Sequence, residues 1–199
     1  MIRKSLIIFA AALCITVSPA FAVLMVQSMS VTNVGTAFVG GVGSALTMNG
    51  VGGINVEYSS GTVTYGSGQF SLNTTLASDA SVGGIASGTF TGGSILYKDS
   101  SSAVLLSGTI TSLKLTEAYN GSGLFFGDGS FTVTGGSLQP NFGSAGVIVD
   151  ISYSIKPITI STFASSFNGS SDMTILPVPE PMTIGLLGLG GLSLLRRKR

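Results

Sequence analysis

Apolar and polar residues alternate along most of the chain between Val23 and Pro177. In residues 53–59 Ile54, Val56 and Tyr58 share one face, and in residues 146–155 Val147, Val149, Ile151, Tyr153 and Ile155 do the same. A period of two places successive side chains on opposite sides of a strand, so each run predicts a strand with one buried face. Comparable runs occupy residues 68–76, 94–99, 103–115, 123–127 and 129–135, each bounded by Gly, Ser, Asn or Asp. Apolar residues do not recur at helical spacing for long and glycine interrupts every window, so this part of the chain reads as many-stranded β structure.

A short repeat runs through these strands. Ser60-Gly61-Thr62-Val63-Thr64, Ser87-Gly88-Thr89-Phe90-Thr91 and Ser107-Gly108-Thr109-Ile110-Thr111 are followed by Gly129-Ser130-Phe131-Thr132. Two copies continue into Gly-Gly-Ser-aliphatic, at Gly92–Ile95 and Gly135–Leu138, which predicts a turn at each. The uneven spacing of the copies argues against a solenoid, which needs a fixed period. The expected architecture is therefore an antiparallel β-sandwich or jelly roll over residues 23–160, with a β-helix as the alternative. Residues 161–177 lose the alternation and gain serine. They read as a tether, with Phe163 and Phe167 covering the edge of the domain.

The two ends differ from this middle. Arg3 and Lys4, an apolar run from Leu6 to Val17, and the small-x-small site Ala20-Phe21-Ala22 read as a secretory signal peptide over residues 1–22, cleaved by signal peptidase after Ala22. At the other end Met182–Leu195 carries no charge and is followed by Arg196, Arg197, Lys198 and Arg199. As a helix this run spans ~21 Å at ~1.5 Å per residue, short of a ~30 Å hydrocarbon core. Clustered cations beside an apolar run stay on the cytoplasmic side and snorkel to the headgroups, which leaves the body outside. Before the helix, Pro179-Glu180-Pro181 is held extended, because proline fixes its own φ and biases the residue before it away from helix.

The order of these parts, Pro179-Glu180-Pro181, then a Gly/Leu-rich helix, then Arg196–Arg199, resembles the PEP-CTERM sorting signal of Gram-negative and related bacteria over residues 178–199. The resemblance implies recognition near the triplet by an exosortase, a membrane-embedded transpeptidase-like enzyme that supplies its own Cys, Arg and His. It implies a transient stay at the inner membrane with the body outside the cytoplasm, then the cell surface or the extracellular space. It also implies a setting in which exopolysaccharide is made. Tails of this kind carry a second label, ice-binding protein C-terminal domain, which describes the tail rather than the body. Met182 stands where many such tails have Ala.

Composition narrows the chemistry. Only 9% of residues are charged, against roughly 25% in ordinary soluble domains, and six of the nine cations lie at the ends. Between residues 23 and 177 three cations face seven acids, a balance of −4, which argues against a nucleic-acid partner. Cys14, the single cysteine, lies in the leader, and histidine is absent, so Ser-His-Asp, Cys-His and His-based metal sites are excluded. A carboxylate pair drawn from Glu57, Asp79, Asp99, Glu117, Asp128, Asp150 and Asp172 remains conceivable, but these acids are spread singly beside turns. Asp128 lacks the Asp-rich loop that calcium sites use. No catalytic residue, metal ligand or cofactor is assigned. The expected function is that of a non-enzymatic surface or matrix protein associated with exopolysaccharide. The alternative is an extracellular lectin or a carboxylate-dependent glycan-active enzyme. A flat, regular sheet bearing Thr would point to ice instead.

Overall fold

The computed structural model describes residues 26–142, 148–156 and 160–177. Eight strands follow one another: β1 (Val26–Phe38), β2 (Ala45–Tyr58), β3 (Gly61–Asp79), β4 (Ser87–Lys98), β5 (Val104–Glu117), β6 (Phe125–Gly135), β7 (Ile148–Lys156) and β8 (Phe167–Pro177). One helical turn, α1 (Gln139–Phe142), lies between β6 and β7. Each strand pairs antiparallel with the next, and β8 returns to pair with β1, closing the barrel. The all-β, antiparallel expectation holds. In place of the two sheets of a sandwich or jelly roll, or the coils of a β-helix, a single meander curls until its edges meet.

Bulges provide the curl, since an extra residue on one strand bends it and increases its twist. The Gly92-Gly93 copy of the repeat is such a place. Asn73 pairs with Ser94 and Thr75 with Thr91, so Thr74 alone faces Gly92 and Gly93. Both glycines take positive φ, 66° and 88°. The expected turn at Gly92 is therefore a bulge inside β4, and it moves the buried register from Phe90 to Ile95 and Tyr97. The other copy does end its strand, at Gly135.

The Ser-Gly-Thr repeat has two uses. Ser60-Gly61 makes the β2–β3 turn, whereas Gly88 and Gly108 are buried positions in β4 and β5. A Cβ on Gly108 would lie 2.2 Å from the Phe131 ring, and one on Gly88 would lie 2.8 Å from Phe163. Glycine there makes room for aromatic rings from neighbouring segments. The barrel is accordingly filled with side chains. Leu46, Met48, Ile54, Val56, Leu72, Phe90, Leu113, Phe125, Phe131 and Ile175 are all inaccessible to solvent or nearly so.

The stretch expected to be a tether is structural. Phe163 is fully buried, with its ring 5.4–5.8 Å from those of Phe38, Phe90 and Phe125, and Phe167 opens β8 beside it. These two rings plug the barrel's far end, and each aromatic pair adds about 0.5–1.5 kcal/mol beyond its area. Residues 167–177 then form the strand that closes the sheet. Their alternation is masked because the buried position between Phe167 and Met173 is a serine. Ser171 lies 2.5 Å from the Thr36 hydroxyl, and both hydroxyls reach the Val34 carbonyl.

An even number of strands puts both chain ends at one rim, here the near rim. Met29 near the start of β1 pairs with Ile175 near the end of β8, and Pro177 pairs with Val149. The far rim carries the loops 39–44, 80–86 and 118–124 and residues 160–166.

Gly93 and Gly43 separate strain from overlap. Both have φ near +87°, but a Cβ on Gly93 would sit 1.9 Å from the Asn73 carbonyl oxygen, while one on Gly43 meets nothing within 4 Å. Gly93→Ala is expected to lose roughly 2–4 kcal/mol of stability and Gly43→Ala about 1 kcal/mol. Urea unfolding of the two variants checks this, and equal losses would show that the bulge gives way without resistance.

Candidate functional site

An eight-stranded barrel is just wide enough either to be filled by its own side chains or to hold one small ligand. Here the axis is occupied, and the polar groups inside it are engaged with the protein. The Tyr97 hydroxyl donates to the Met173 thioether sulfur at 3.4 Å. Burial pushes the Tyr97 phenol far above its ordinary value. Glu117, 2% exposed, accepts hydrogen bonds from the Ala86 and Gly123 backbone N–H groups and so laces the far-rim loops together. Thr74 is the exception, its buried hydroxyl lacking a partner among the described residues.

The remaining described carboxylates are placed singly. Asp79 accepts from the backbone and hydroxyl of Ser81, at the far rim. Asp99, in the β4–β5 turn, accepts from the Ser101 hydroxyl and from the backbone of Ser101 and Ala103, and these bonds hold its carboxyl below the usual range. Asp172 accepts from the Asn33 backbone across the β1–β8 seam, and Glu57 accepts from the Ser28 hydroxyl. Asp128 is exposed on β6, opposite Lys114. Asp150 pairs in register with Ser130 and Leu176. Most of these acids therefore accept hydrogen bonds from the chain itself. No group of three metal-ligating side chains assembles among the described residues.

The outer wall is polar and the inner face apolar, the reverse of a barrel that spans a membrane. Small polar side chains pair across the strands: Ser87 with Thr116, Ser107 with Thr134, Thr111 with Thr132, and Thr64 with Asn55. The wall is curved and bulged rather than flat, unlike the regular Thr sheet that would point to ice. On β2–β4 it is indented by an open groove of about 380 Å³, lined by Asn49, Val51, Gln69, Ser71, Leu96 and Lys98 together with Gly50 and Phe70. That volume lies within the range of small-molecule sites, ~300–1,000 Å³. Nothing in the sequence singles out these residues. They come from three strands and meet only through the register.

The sites read from the two termini, Ala20 and Ala22, Pro179-Glu180-Pro181, the helix 182–195 and Arg196–Arg199, lie outside the described residues. Among the described residues no helix is long and apolar enough to cross a membrane. The model of the PEP-CTERM protein-sorting motif matches residues 177–199. The match begins at Pro177, the last residue of β8. It marks the chain as an exported, exosortase-sorted protein carrying a PEP-CTERM domain, and it does not bear on ice. No curated protein and no solved structure matches the chain.

Tyr97 gives the barrel a pH limit whose sign is fixed. An unfolded tyrosine ionises near pH 10 while the buried one keeps its proton, so above pH 10 the unfolded chain binds fewer protons than the folded one. The contribution is fully present below pH 10 and is lost as pH rises beyond it, by up to ~1.4 kcal/mol per pH unit. Tyr97→Phe should cost under about 1.5 kcal/mol at pH 7 and unfold less steeply than wild type between pH 10 and 12. Denaturant midpoints across that range measure it, and parallel curves would place the alkaline sensitivity elsewhere.

Proposed function

We propose that this protein is a non-enzymatic component of the cell surface or extracellular matrix, delivered by an exosortase and associated with exopolysaccharide through its barrel wall. The carrying observation is where β8 stops. The strand stays hydrogen-bonded to β7 up to Pro177, and the triplet Pro179-Glu180-Pro181 follows two residues later. β1 begins at the same rim, so the first and last strands of the barrel have their outer ends, Val26 and Pro177, on one side. While Arg196–Arg199 hold the tail on the cytoplasmic side, the near rim faces the inner membrane and the wall and far rim face outward.

Three features support a role without catalysis. The interior is filled, the wall is built of short hydroxyl and amide side chains, and the acids are spread over separate turns and strands. Retaining and inverting glycosidases need two carboxyl groups ~5–10 Å apart across a sugar, and no acid lines the groove on β2–β4. The groove itself favours a second reading, a glycan-binding lectin, over the enzyme.

Mass analysis of the C-terminus tests the sorting step. Expressed in a host with an exosortase, the mature protein should lack residues 182–199; without one, it should keep them. Signal peptidase should remove residues 1–22 in both hosts. Retention of residues 182–199 in both would make the tail a plain anchor.

A further inference from the structure

The groove on β2–β4 gathers two amides, a hydroxyl and an ammonium around one indentation in the outer wall. It consists of two adjacent cross-strand rows, Asn49–Ser71–Leu96 and Val51–Gln69–Lys98, set by the pairing of β2 with β3 and of β3 with β4. Some outward hydroxyls and amides elsewhere on the wall are spent on one another, as in Ser87 with Thr116 or Thr64 with Asn55. In the groove the side chains of Asn49, Gln69, Ser71 and Lys98 make no hydrogen bond or ion pair with the described residues. The neighbouring acid, Asp99, has its carboxyl turned into its own loop by Ser101 and Ala103, and the Lys98 ammonium has no ion pair among the described residues. Beside these donors lie two apolar surfaces, Val51, 74% exposed, and half-buried Leu96.

We infer that this groove binds an acidic saccharide, with Lys98 pairing its carboxylate, Asn49, Gln69 and Ser71 bonding its hydroxyls, and Val51 and Leu96 lying against a ring face. Amides carry donor and acceptor together and so suit vicinal hydroxyls, and an ammonium supplies three donors to a carboxylate. The closed sheet argues against an acidic peptide. An extended peptide gains affinity chiefly by adding a strand to an open edge, and β1 and β8, the strands that would be edges, are paired with each other. Recognition on this wall has to come from side chains alone, which suits a polyol. The inference rests on the exopolysaccharide reading above and gives it a location and a charge.

The test uses the full chain in neutral detergent, titrated with a uronic-acid oligosaccharide and with its methyl ester. Lys98→Met, which keeps the stem and removes the charge, should weaken binding of the acid about five- to tenfold and flatten its salt dependence, leaving the ester unaffected. Asn49→Ala and Gln69→Ala should weaken both ligands. Lys114→Met, on β5 toward the far rim and in register with Asp128, should change neither. If the acid binds but Lys98→Met and Asn49→Ala bind it as wild type does, the groove is the wrong site while the glycan reading stands. If neither oligosaccharide binds, the glycan reading fails and the site fails with it. If a polyglutamate of equal charge binds as tightly and competes, the groove recognises acidic peptide or charge alone and the saccharide assignment is overturned.

Discussion

Pairing between β1 and β8 is the interaction on which the rest of this structure depends. Strands at the edge of a sheet expose unpaired N–H and C=O groups, which cost free energy if buried and invite association if left open. Here residues 29–38 meet residues 167–175 across the seam, so the sheet has no edge left to cover. The seam is also secured from inside, by the Thr36 and Ser171 hydroxyls, and at the far end by Phe38 against Phe167. A sandwich of the same strands would bury its core as well, but would leave four edges. With few charges available to guard edges, closure is the arrangement this composition allows.

The parts of the fold that were legible in the sequence are those where an apolar side chain fills each inward position. Ile54 and Val56 are buried as their spacing predicts, with Tyr58 packed against the core. The pattern failed where the inward residue was small or polar for a local reason. Gly88 and Gly108 are inward because Phe163 and Phe131 take their space, and Ser171 is inward because Thr36 needs a partner. A strand containing such positions reads as a linker, and β8 was hidden in this way. Bulges add a second difficulty, since Gly92-Gly93 shifts the register in mid-strand and makes one long strand look like two runs and a turn. The groove was not legible at all, because its six side chains become neighbours only through the pairing of three strands.

The division of labour inside and outside the barrel follows from the same alternation. Inward positions are spent on filling, and of the polar groups there Tyr97, Glu117 and the Thr36–Ser171 pair are hydrogen-bonded, with Thr74 the exception. Outward positions are short and uncharged for the most part, and some of them pair across strands, which makes a surface that is wet without being strongly ionic. The groove on β2–β4 lies on this wall, and its amides and the Lys98 ammonium make no hydrogen bond or ion pair with the described residues.

The seam also sets a schedule. Asn33 and Asp172, which meet across it, are 139 residues apart in sequence, and contacts of such separation form late because the loop between them must close first. An exported chain crosses the membrane from its N-terminus, so β1 arrives outside long before its partner. Until residue 175 has followed, at least one flank of the sheet stays open to solvent. The strand that ends that exposure is the last to emerge before the sorting tail, so completion of the barrel and arrival of the sorting signal fall at nearly the same moment of export.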